Sequence, residues 1–208
     1  MKGKWFAFGV CFLLLPVLLV AGCSSTKVTG VWKDPKLENA VFSNILVVNT
    51  LLDDISRKKS ERAIVEQLRV DGVEAMPSYR VLPPGKLPNV ERVAESVKNN
   101  QFDAVLITKI IDRKDVERVV AEGCRGRWDE DYQHNRERLL EIACRPTPVT
   151  RKTDIYALET DLYRVSDKAL VLSIKTDTTV DMPTSKLARG FASMVVEELR
   201  RAGVLARK

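Results

Sequence analysis

Glu159 and Asp161 stand two apart in Leu158-Glu159-Thr160-Asp161-Leu162, so on a strand both carboxylates point to one face. Paired carboxylates do acid–base work when their environments differ. On a solvated face opposite Tyr156, Leu158 and Leu162 they are two surface acids, and that is the reading taken here. His134, the one histidine, follows Asp129, Glu130 and Asp131. Such donors could hold a divalent cation weakly, but a closed zinc site needs three more ligands, and a solvated loop accounts for the group. Asp53-Asp54 follows the first apolar run, at the strand end where open α/β sheets place function; capping of the next helix explains the pair more simply. The chain has no Gly-rich phosphate loop, no Gly-x-Ser-x-Gly elbow, no Cys-x-x-Cys and no His-Glu-x-x-His. No catalytic, cofactor or metal residue is therefore assigned, and the chain is not expected to be an enzyme.

The elements that position these residues follow from hydrophobic period. Ile45-Leu46-Val47-Val48, within 44–52, is apolar on both faces and predicts a buried central strand. A helix capped by Asp53-Asp54 runs through Arg69, with Ile64, Val65 and Leu68 on one face, and Gly72 stops it. Residues 73–79 predict a weaker strand broken by Pro77. Asn89 caps a helix with Val90, Val93, Ala94 and Val97 as its stripe and Asn99-Asn100 at its end. Ala104-Val105-Leu106-Ile107 is the third buried strand, extended into Ile110-Ile111. After Asp112 the pattern turns polar. Strands at 153–165 and 169–180 flank a Ser166-Asp167-Lys168 turn, and Thr184 or Ser185 caps a last helix with Leu187, Phe191, Met194, Val195 and Leu199 inward and Gly203 as its stop. The predicted class is α/β (α+β): a mixed, partly parallel sheet of about five strands with helices packed on it, in the order β-α-β-α-β-β-β-α.

The amino terminus has a different logic. Lys2 and Lys4 precede an apolar run of about 16 residues, Trp5 to Val20, too short for a bilayer span of roughly 20. Leu19-Val20-Ala21-Gly22-Cys23 closes it and resembles the cleavage and lipidation box of bacterial lipoproteins. In that resemblance 1–22 is a signal peptide and Cys23 receives a diacylglyceryl group and a further acyl chain on its amine, palmitate among the lipids. Cleavage removes 22 of 208 residues and leaves 186, enough for one core. Residues 23–40 are expected to be a lipidated tether, with Trp32 as a packing anchor, and 41–208 a single domain. Net charge is +6, and losing Lys2 and Lys4 lowers it to +4. The surplus, with Arg57, Lys58 and Lys59, motivates an alternative role as a binding module for an anionic envelope ligand or polymer. Nucleic acid is not expected as a partner.

Cysteine arithmetic follows. Of four cysteines, Cys11 leaves with the signal and Cys23 is lipidated, so Cys124 and Cys144 remain. An even remainder in an oxidising compartment predicts one disulfide, bounding an insertion at about 123–148.

Several stretches then coincide with one family. Trp32 before Asp34-Pro35, the Ile45–Val48 run, Arg62 and Glu66, Gly72, Ser78-Tyr79 with Leu82-Pro83, Asp103-Ala104-Val105-Leu106 and Leu158-Glu159-Thr160-x-Leu162-Tyr163 resemble a family of uncharacterised bacterial envelope lipoproteins. That family is similar in fold to the TolB amino-terminal domain and the curli-secretion lipoprotein. The resemblance implies a non-catalytic α/β domain held at the periplasmic face of a membrane and working through an envelope protein partner. Ser24 after the lipidated cysteine resembles the signal for the outer membrane in enteric bacteria.

Overall fold

Because the 45–48 run is apolar on every side chain, it needs cover on both faces and a strand on both edges. The computed structural model supplies all of these. It describes residues 25–37, 39–51, 53–82, 93, 97, 100–124 and 146–206, with side chains at 37, 118–124, 146–149 and 151 outside the description. Strand β2 (Asn44–Asn49) lies between β3 (Glu74–Pro77) and β4 (Ala104–Cys124), parallel to both. The rest of the sheet is antiparallel: β4 pairs with β5 (Pro146–Arg164), β5 with β6 (Leu170–Val180), and β6 with β1 (Thr26–Lys33). The order is β1-β6-β5-β4-β2-β3.

The sixth strand corrects the expected count of about five. It is part of the stretch read as tether. Thr26–Lys33 has too few apolar residues to read as core, but an edge strand needs only one partner, and β6 supplies it.

Helix α1 (Asp54–Val70) crosses from β2 to β3, and α2 (Thr184–Arg201) follows β6. Both cover one face, burying Ile45, Val47, Ile64, Leu68, Leu106, Leu172, Ile174, Phe191, Val195 and Leu199 together. Gly72 (φ 83) and Gly203 (φ 69) take left-handed turns. There Val73 N–H returns to the Leu68 carbonyl at 3.0 Å and Val204 N–H to the Leu199 carbonyl at 3.3 Å, so both glycine stops read from the sequence are present. Asp53 caps α1 as expected. The start of α2 differs: Pro183 is its N-cap and no side chain caps it. Proline's fixed φ suits the entry, and the Lys186 and Leu187 N–H groups bond the Pro183 carbonyl at 2.9 and 3.2 Å.

On the other face, Val97 and Phe102 pack with half-buried Val93 over Leu46, Val48 and Val105. Val93 and Val97 are helical, on the expected stripe.

The largest departure is the length of β4 and β5. The sequence reading ends one strand near Ile111 and begins the next at 153. Instead the ladder continues to Cys124 opposite Pro146, with bulges at Ile110/Asp112 and Val119/Ala121. β6 stops pairing at Asp154, so β4 and β5 project as a two-stranded arm. Charged residues hide its strand character from a hydrophobicity pattern. Across the ladder they make ion pairs, Arg113 with Asp154 at 3.0 Å and Lys152 with Glu117 at 3.5 Å.

Candidate functional site

Among the described residues, three arrangements bring polar or concave chemistry together: a cleft at one sheet end, a buried carboxylate beneath α1, and a charged network on the sheet face opposite α1 and α2.

The cleft lies where β2 and β6 hand the chain to their helices. The amino-terminal ends of α1 and α2 flank a space of about 230 Å³, walled by Leu51, Ile110, Tyr156, Leu158, Leu187 and Phe191. Asn49, Asp53, Ser60 and Thr178 also line it. Asp53 is occupied as a cap: its Oδ1 accepts the Ser56 N–H at 2.7 Å, and the bonds from Ser56 hold its carboxyl below the ordinary value. The strand-end position that could have held function holds a helix cap, as the sequence reading preferred. The cleft's chemistry is that of a receptor for apolar groups.

Glu61 went unnoticed in the sequence, where it is one more charge in a charged helix. Its side chain is fully buried. Oε1 accepts the Asn49 N–H at 3.0 Å and the Ser78 hydroxyl at 2.6 Å, and Oε2 the Tyr79 N–H at 3.3 Å. Arg57 Nη1 stands 3.7 Å away. Burial raises the carboxyl's pKa above its ordinary value, against the pull of Ser78, Asn49, Tyr79 and Arg57. This group locks the end of β2, α1 and the turn at Ser78–Arg80 together. The signal that could have found it is position: Arg57, Glu61, Ile64 and Leu68 form one helical stripe.

Arg57 is buried with it and bonds Asp54 at 2.5 Å, while Lys58 reaches Asp54 at 2.6 Å. The Arg57-Lys58-Lys59 run is thus two engaged cations and one exposed lysine. Its members do not form the basic patch that motivated an anionic ligand.

Glu159 and Asp161 share a face, as their spacing predicts, but that face is not the solvated one expected for Asp161. Asp161 is 4% exposed. It accepts Ser173 Oγ at 2.6 Å and Lys109 Nζ at 3.1 Å. Lys109 also reaches Glu159 at 2.7 Å, which lowers the Glu159 carboxyl, Lys109 being the main cause. Tyr163 is raised, first by burial and then by Asp161. Lys109 on β4 reaches both acids, and Lys175 on β6 reaches Glu159. The carboxylates are bonded to cations and hydroxyls, so the arrangement holds strands together. Trp32, opposite Ser173 in the ladder, is 48% exposed. This corrects its reading as a packing anchor, because Trp32 shares the face of Ser173 and Asp161 while α1 and α2 pack on the opposite face.

Cys23 and Cys144 lie outside the described residues, as do Asp129, Glu130, Asp131 and His134, and Cys124 is described in backbone only. The ladder sets Cys124 opposite Pro146, two residues from Cys144. Among the described residues, no group of three or more His, Cys, Asp or Glu forms a metal site, and no helix is long and apolar enough to cross a membrane.

Comparison with protein-family models gives no match, and neither does comparison with curated proteins. Solved structures do match. The chain is similar to PelC from Paraburkholderia phytofirmans, a dodecamer, at 14% identity and TM-score 0.46 over 86% of this chain and 98% of that one. It is also similar to lipoprotein GNA1162 from Neisseria meningitidis, at 13% identity and TM-score 0.43 over 76% and 99%.

Proposed function

We propose that the mature chain is a lipid-anchored, non-catalytic protein of the bacterial envelope, held through Cys23 at the periplasmic face of the outer membrane and acting through contacts with another envelope protein. The observation that carries this reading is the junction of anchor and domain. The cysteine of the lipidation box stands three residues before Thr26, which is already paired in the sheet. Lipid and domain are joined with almost no spacer, so the domain works at the membrane. The arm supports the contact role, since most of its outer strand edges lie beyond β2 and β6 and have no strand partner among the described residues.

Metabolic labelling with a palmitate analogue, membrane fractionation and crosslinking in intact cells test the proposal together. Label on the wild type but not on Cys23→Ser, outer-membrane recovery and a reproducible crosslinked protein are expected. A soluble wild-type protein, or one with no recurrent neighbour, refutes it.

A further inference from the structure

Residue 25 is fixed at one end of the sheet. The Thr179 N–H donates to the Ser25 carbonyl at 2.7 Å, and Thr26 pairs with Thr178. Cys23 is two residues upstream, and two residues of fully extended chain span only about 7 Å. A lipid on Cys23 therefore holds this end of the domain at the depth of the lipid headgroups.

The same end carries the apolar cleft. Thr178 and Val180, beside residues 25 and 26 in the ladder, line it, and its walls include Leu51, Tyr156, Leu187 and Phe191. Two apolar side chains stand exposed beside it, Val180 at 42% and Ile55, next to the lining residue Ser56, at 66%, and the acids Asp53, Asp54 and Asp181 are exposed around them.

We propose that this end is a lipid-facing surface, with Asp53, Asp54 and Asp181 in the headgroup layer and the cleft mouth, Ile55 and Val180 at the boundary between headgroups and acyl chains of the bilayer that holds Cys23. The proposal rests on the lipid-anchor reading and adds the side chains that meet the membrane. Interfacial elements bury apolar faces by about 5–10 Å, a depth that the two-residue linker permits. The arm leaves the sheet in this same direction. β5 runs eight residues past Asp154, about 27 Å at strand rise. Arg113, Lys114, Asp115, Glu117 and Lys152 make it too charged for hydrocarbon. The domain therefore leans so that the arm runs within the headgroup layer, presenting its strand edges in the membrane plane.

The test uses the lipidated full-length mature protein in phospholipid vesicles containing a phospholipid with a photoactivatable diazirine on its acyl chain. Flotation is measured first, then labelled peptides are mapped by mass spectrometry. Labelling around Leu51 and Ile55 and around Val180 and Leu187 is expected to exceed labelling around Val41 and Val70 by roughly fivefold or more. Val41 and Val70 are the control because they are 53% and 80% exposed at the opposite end. Ile55→Asp with Val180→Asp, both at exposed positions, should cut labelling of the first group several-fold while circular dichroism and flotation are unchanged. Equal labelling of both ends, no labelling, or indifference to the two substitutions overturns the proposal with the anchor reading intact. Failure of the wild type to float overturns the anchor reading, and this proposal with it.

Discussion

Replacing Glu61 by Ala would remove the acceptor on which three elements converge. The Asn49 N–H and the Ser78 hydroxyl would be left without it, and Arg57, 7% exposed in its side chain, would keep Asp54 as its ion-pair partner. A buried donor left unsatisfied costs about 1–3 kcal/mol. Two such donors, with the Tyr79 N–H at 3.3 Å counted as weak, give a loss of about 3–5 kcal/mol. Glu61→Gln keeps one carbonyl acceptor and removes the cost of burying a charge, so it should lose only about 1–2 kcal/mol. Urea unfolding of the mature chain carrying Cys23→Ser, followed by circular dichroism, measures both. The sign of the pH dependence is a second check. Because folding raises the Glu61 pKa, the folded state binds the proton more tightly. Its stabilising contribution is complete below the unfolded value near 4.5 and is lost as pH rises through the folded value. The wild type should therefore gain stability relative to Glu61→Gln as pH falls from neutral toward 4.5. A Glu61→Ala loss under about 1 kcal/mol, or a wild-type advantage that shrinks on acidification, would refute the view of Glu61 as a buried, desolvated lock.

Two further outcomes follow from the arm and the sheet interior. We propose that Cys124 and Cys144 form the expected disulfide as a clasp near the tip of the arm; Cys124→Ser should free one thiol by alkylation assay and destabilise by roughly 3 kcal/mol, with faster amide exchange at 113–117. Two free thiols in oxidised periplasmic wild-type protein would show the clasp absent. Thr176 Oγ1 is buried without a hydrogen-bond partner among the described residues, so Thr176→Val should raise stability by about 1 kcal/mol in the same urea assay.

The parts legible in sequence are those set by local rules. The 45–48 and 104–107 runs, the Asp53 cap and the Gly72 and Gly203 stops each depend on neighbours a few residues away, and each is present. The β1 strand and the arm were not legible because their pairing comes from far along the chain. Thr26 meets Thr178 and Arg113 meets Tyr156, and such polar stretches carry no periodic apolar signal. The cleft was equally hidden, since its walls come from β2, β4, β5, β6, α1 and α2.

The sequence by itself determined the βαβ half of the sheet, because buried parallel strands must be continuously apolar, and it carries the linear string on which the lipid-anchor proposal rests. Only tertiary structure decided what the charged residues do. Glu61 and Asp161 look alike as letters, yet one locks a helix to a turn and the other ties strands beneath Lys109. Tertiary structure also placed the start of β1, the cleft and the arm at one end. Direction along a sheet is fixed by strand pairing, and pairing is a long-range property.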